Sequence, residues 1–246
     1  AVLYRQKAAG ALTYALWAVH PESNVSADVC ATLVGPGELP DPGAGSISML
    51  PVDLDGNGKD EILIFAAGSS SLLVAQLGEG GAWSVETVAL GEPHLGITTG
   101  ALRSPAAGSV PVVDVLLWSG DGVTVLRNDG KGKLDPAKAT KIAIAGLPCP
   151  VRNGGAAPGS PTGVAVLNVD DDGEREIVVL TPSDTFLVDL AGEVAGAFAS
   201  PVCKSDVFGG GGDAVTQGDV DGDGVDDLVL ARPGGIQVLT GVAVVQ

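Results

Sequence analysis

The chain has 246 residues, enough to bury a sizeable core in one domain, and is 45% hydrophobic but only 4% aromatic, so Val, Leu, Ile and Ala must build that core. A formal charge of −17 argues against nucleic-acid binding, which needs clustered Lys and Arg. No apolar run approaches the ~20 residues of a membrane helix, so insertion into a bilayer is not expected.

Taken in order, Val2–Arg5, Ala11–Val19 and Val29–Val34 read as strands, followed by the Pro/Gly connector Gly35–Gly45. The opening at Ala1, without Met or a charged-then-apolar leader, reads as a mature or excised form. Ile47–Leu50 then leads into DLDGNGKDEILIF, Asp53–Phe65. Side-chain oxygens stand at its first, third, fifth and ninth places: Asp53, Asp55, Asn57 and Glu61. Lys59, at the seventh, offers its backbone carbonyl. Strands Glu61–Phe65, Leu72–Leu77 and Trp83–Leu90 complete this first repeat.

The second repeat runs Ile97–Leu102, Val112–Trp118, Val123–Arg127 and Thr140–Ala145. Its loop has lost its acids. Arg103 stands where the first ligand belongs, and only Asp114 survives, at the ninth place. One acid cannot hold a divalent cation, and leaving it unpaired beside a buried strand is costly. A guanidinium there can offer a carboxylate two hydrogen bonds, so either a salt bridge between Arg103 and Asp114 replaces the metal or the two stay solvated charges on neighbouring turns of a longer loop.

The third repeat follows the Gly154–Gly159 stretch as Gly163–Leu167, Glu176–Leu180, Thr185–Leu190 and Val194–Ala199. Its loop, NVDDDGEREIVVL, sets Asn168, Asp170, Asp172, Glu174 and Glu176 at the same five places. The fourth runs Ala214–Gln217, Asp227–Ala231, Ile236–Thr240 and Val242–Val245, with DVDGDGVDDLVL supplying Asp219, Asp221, Asp223, Val225 and Asp227.

Alternating oxygens in a Gly-bearing loop suit a hard cation taking six to eight oxygens, and Ca²⁺ is the natural one. An EF-hand would need a bidentate Glu at the twelfth place, where Ile64, Val179 and Leu230 stand instead. Nearly half of the 30 acids lie in the three loops, so metal explains much of the acidity. About three ions are expected. By charge alone the Asp219 loop should fill first, because the other two each replace one carboxylate with Asn. The Gly210–Gly212 run just upstream reads as slack that opposes this order.

The loops, each with an apolar strand behind it, resemble the FG-GAP (VCBS-type) repeat of the integrin α-subunit β-propeller and its bacterial relatives. The last copy fits best, with Phe208-Gly209 before the loop and Ala231-Arg232-Pro233 where the family has Gly-Ala-Pro. Four short strands recurring about every fifty to sixty residues also indicate blades, each needing neighbours to cover it. The expected fold is all-β: one β-propeller over 1–246 with about five four-stranded blades. Residues 1–45 would form a metal-free blade or closing strands, and 46–97, 98–159, 160–210 and 211–246 the repeats.

The resemblance implies a calcium-stabilised binding or adhesion module, secreted, periplasmic or at the cell surface, with a protein or glycan ligand. A lectin propeller and an accessory domain of a secreted enzyme are the alternatives. His20 and His94 carry no nucleophile–base motif and read as solvated loop residues, so no enzyme is expected. Trp17, Trp83 and Trp118 are expected to pack between blades. Cys30, Cys149 and Cys203 lack CxxC spacing and allow one disulfide at most, either Cys149–Cys203 or none.

Overall fold

A computed structural model describes residues 2–8, 11–19, 30–34, 45–78, 83–103, 110–144, 159–167, 175–189, 193–194, 197–198, 202–205, 210–222 and 226–240. Before residue 45 and over 189–205 it describes the backbone alone. By its contacts the chain forms two compact units, Ala1–Val52 with Lys59–Pro93, and Asp53–Gly58 with His94–Gln246. Among the described residues no helix is long and apolar enough to cross a membrane.

The first unit holds two antiparallel sheets. Strands β1 (Val2–Ala8), β2 (Ala11–Val19) and β3 (Cys30–Val34) pair in chain order. So do β4 (Ile47–Val52), β5 (Glu61–Ala66), β6 (Ser71–Leu77) and β7 (Trp83–Ala89). The unbroken apolar run of β5 is buried along its whole length, as a central strand covered on both faces must be. Ile62 and Ile64 of β5 and Leu73 and Ala75 of β6 form one buried cluster, with Trp83 and Val85 packed against them.

The second unit repeats the plan. One sheet takes β8 (Gly96–Gly100), β9 (Asp114–Trp118), β10 (Gly122–Leu126) and β11 (Thr140–Ala143). The next takes β12 (Gly163–Leu167), β13 (Glu176–Leu180) and β14 (Thr185–Asp189). A separate two-stranded hairpin, β15 (Glu193–Val194) with β16 (Ala197–Phe198), comes before β17 (Val202–Ser205), which pairs with β14. The last sheet takes β18 (Ala214–Gly218), β19 (Asp227–Arg232) and β20 (Gly235–Leu239). The expected fourth strand at Val194–Ala199 is therefore corrected to Val202–Ser205. Val242–Val245 lies outside the described residues.

Period-2 alternation decides how these sheets stack. Val164, Val166, Ile177, Val179 and Val188 pack toward Leu116, Val123, Val125 and Trp118. Ala165, Leu167, Val178, Leu180 and Leu187 face the other way, onto Leu228 and Leu230. The middle sheet is thus covered on both sides. Inner strands approach so closely that a Cβ on Gly100 would lie 2.5 Å from the Cβ of Val166. At Gly218, which occupies the same register place in β18, a Cβ would meet nothing within 4 Å. Gly100→Ala is therefore expected to cost about 1–3 kcal/mol through overpacking. Gly218→Ala should change stability by less than about 0.5 kcal/mol. Urea denaturation of the two variants checks the contrast, and equal losses would contradict this stacking.

Two further expectations need correction. His94 is fully buried, with Nε2 3.3 Å from Oγ1 of Thr124, and is not a solvated loop residue. Gly211 and Gly212 are not slack either. A Cβ on Gly211 would lie 2.2 Å from the carbonyl oxygen of Thr181, and the Gly212 amide donates to that same oxygen at 2.9 Å. These glycines let one sheet's turn approach the next.

Candidate metal centre

Strand register places the ninth residue of every loop. Glu61 pairs with Val52, Asp114 with Gly100, Glu176 with Leu167 and Asp227 with Gly218. Each acid thus opens the second strand of its sheet, opposite the last residue of the first. All four are buried. Hairpin pairing therefore holds one carboxylate inward at the mouth of each turn, and the rest of the turn decides what meets it.

In the first turn Oδ1 of Asp53 accepts from the amides of Gly56 at 2.8 Å and Asn57 at 3.1 Å, and Oδ2 from Gly58 at 2.8 Å. Oδ1 of Asp55 accepts from the Asn57 amide at 3.1 Å. Gly56 and Gly58 have φ of 72° and 81°, the left-handed conformation that such tight wrapping needs. Carboxylate oxygens of Asp53, Asp55 and Glu61 come within 4.8 Å of one another. Asn57 and Lys59 are exposed.

The last turn repeats this arrangement. Oδ1 of Asp219 accepts from the Gly222 amide at 2.6 Å, and Oδ2 of Asp227 from the Val220 amide at 2.8 Å. Oxygens of Asp219, Asp221 and Asp227 again lie within 4.8 Å of one another. Asp223 and Val225 lie outside the described residues, as do Asn168, Asp170, Asp172 and Glu174 of the third loop; its Glu176 is buried at the head of β13.

The donor set decides what these clusters can hold. Three carboxylates so close repel one another, and a divalent cation relieves that repulsion. An all-oxygen set without His or Cys suits a hard ion rather than zinc or copper. The residues fit a hard divalent ion. Such an ion would meet Asp53, Asp55 and Glu61 in one turn, and Asp219, Asp221 and Asp227 in the other.

In the second turn Arg103 and Asp114 form a bridge. Nη2 of Arg103 donates to Oδ1 of Asp114 at 2.9 Å and to the carbonyl of Asn128 at 2.9 Å. The Asn128 amide donates to the same Asp114 oxygen at 2.9 Å. Burial pushes the Asp114 carboxyl above its ordinary range, while the Asn128 N–H and the Arg103 guanidinium pull it partly back. Arg175 and Asp226, each just before the ninth-place acid of its turn, pair across neighbouring sheets at 2.9 Å.

Asn128 was not singled out by sequence reasoning. Its only local signal is the Asn-Asp-Gly-Lys-Gly turn, in which Gly130 and Gly132 take φ of 78° and 81°. Beside it, the amides of Lys131 and Lys133 hold the exposed Asp129 carboxyl below its usual range.

No protein-family model matches the chain, and no curated protein sequence does. Among solved structures it is similar to an Agrocybe aegerita lectin described as specifically recognising non-reducing terminal N-acetylglucosamine. The TM-score is 0.58 at 18% identity, over 96% of this chain and 59% of the lectin chain. The fold is β-propeller-like. It is all-β, built from repeated antiparallel sheets, and the chain spans less than two thirds of the lectin's length. A Photorhabdus luminescens Tc holotoxin pore also matches, at a TM-score of 0.37, 16% identity and 13% of that chain.

Proposed function

We propose that this chain is a non-catalytic glycan-binding module, a propeller-type domain whose acidic turns are stiffened by calcium. The observation that carries the reading is the fold likeness to a sugar-recognising lectin over 96% of the chain. The acidic turns supply the calcium part. Each lies at one end of a sheet, where an ion would tie the turn to the first residue of a central strand. The repeats act as blades of a ring of about five, and the FG-GAP resemblance supports a setting outside the cytoplasm. Adhesion to a protein ligand is the second reading, supported by that same resemblance.

A glycan array probed in millimolar calcium separates the two. Binding confined to glycans that share one terminal sugar, and competed by that free sugar, is the expected result. A silent array together with saturable binding to immobilised matrix proteins would replace the glycan by a protein ligand. Turnover of an arrayed glycan would overturn the non-catalytic reading.

A further inference from the structure

Leu54 and Val220 hold the same place in their turns, one residue after the first acid, yet Leu54 is 2% exposed and Val220 58%. The buried one is met by a residue far away in sequence. Nδ2 of Asn128 donates to the Leu54 carbonyl at 2.6 Å. Asn128 is itself buried, with each of its polar groups engaged. Nδ2 also reaches the Val113 carbonyl at 3.1 Å, and Oδ1 accepts from the Gly130 amide at 3.0 Å. Its backbone N–H and C=O meet Asp114 and Arg103 at 2.9 Å each. A Cβ on Gly132 would stand 3.3 Å from the Cβ of Asp55, so the turn after Asn128 lies directly against the acidic one.

We propose that Asn128 is a positioning residue that holds the Asp53 turn in its cation-binding shape. That turn then takes calcium more tightly than the Asp219 turn, although it has one carboxylate fewer. The inference rests on the cation reading above. The Leu54–Asp55 peptide lies between two ligands, and fixing its carbonyl fixes the backbone from which Asp53 and Asp55 project. A turn ordered before the ion arrives loses less of the binding energy to ordering its backbone. Losing a hydrogen bond to a metal ligand typically weakens metal affinity about 10–100-fold, and a bond to the peptide that joins two ligands should act near the low end of that range. Asn128 also joins the Asp53 turn to the Arg103–Asp114 bridge.

A residue-resolved calcium titration by ¹H–¹⁵N NMR tests this, because glycine amides bonded to the first acid report each turn separately. Gly56 and Gly58 report on Asp53, and Gly222 on Asp219. In the unmodified protein Gly56 and Gly58 should saturate at lower calcium than Gly222. Asn128→Ala should raise their midpoint at least about tenfold and leave Gly222 where it was. An unmoved midpoint, or an equal shift in both turns, overturns the positioning role, and the reverse order of filling overturns the ranking. No response at Gly56 and Gly58 in the unmodified protein would instead remove the cation reading itself. Should Asn128→Ala fail to fold, ¹⁵N relaxation on the calcium-free unmodified protein still decides. Asp55–Gly58 should be as ordered as the flanking strands and Val220–Gly222 less so; equal order in the two turns overturns the inference.

Discussion

Replacing Arg103 with Met is expected to cost about 3 kcal/mol at neutral pH, the low end of the range for breaking a buried ion pair. The low end applies because Arg103 keeps 32% of its side chain in solvent while Asp114 keeps none. Met preserves the apolar stem and removes the charge, leaving a buried carboxylate with the Asn128 amide. The loss should depend on pH, and its sign follows from the Asp114 carboxyl. Its folded pKa lies above the unfolded value even with Arg103 present. Between those two values the folded state binds the proton more readily, so stability falls as pH rises through the window. Without the guanidinium the folded value climbs further and the window widens upward. The variant should therefore lose least in acid and most above the new folded value. Adding Asp114→Asn, which keeps an acceptor for the Asn128 amide and removes the charge, should restore more than half of the loss. Urea denaturation of the single and double variants at several pH values measures all of this. A loss below about 1 kcal/mol that is flat with pH would make the pair an ordinary surface contact.

That bridge was legible in the sequence for a physical reason. A lone buried acid without the carboxylate cluster that a cation could neutralise needs another positive group, and Arg103 stands where Asp53 and Asp219 do in their turns. The central strands were legible because sheets covered on both faces need unbroken apolar runs, as in EILIF and EIVVL. The outer strand of the third repeat was not. Val194–Ala199 is apolar but broken by Gly196, which weakens a strand, and the residues around that glycine close into their own hairpin. The edge place falls to Val202–Ser205, whose Lys204 gives it no apolar periodicity. His94 and Asn128 were hidden for a different reason. Their polar partners, Thr124 for His94 and Leu54 for Asn128, lie 30 and 74 residues away, contacts that no local pattern records. Gly211 and Gly212 misled in the opposite sense. A run without side chains reads as slack, whereas here it is what allows two backbones to touch.

Chelating calcium should lower the melting temperature by roughly 10–20 °C. An ion present at a hundred times its Kd stabilises by about 2.7 kcal/mol per site, and two described turns bring three carboxylates together. For a domain of this size each kcal/mol shifts Tm by about 2–4 °C. A filled Asn168 loop would add to the shift. The effect should reverse with Ca²⁺ and much less with Mg²⁺, which demands a smaller octahedral site and gives up its water reluctantly. Asp55→Asn and Asp221→Asn, each removing one carboxylate from one cluster, should each lower Tm in calcium while leaving the Tm in EDTA nearly unchanged. That asymmetry matters more than the size of the drop, because a merely structural Asp would lower both. An unchanged Tm on chelation would mean that the turns are held by their own hydrogen bonds, with Asp53 gripping Gly56 and Gly58 and Asp219 gripping Gly222. The three repeats with acidic loops would then need no more metal than the one tied by Arg103.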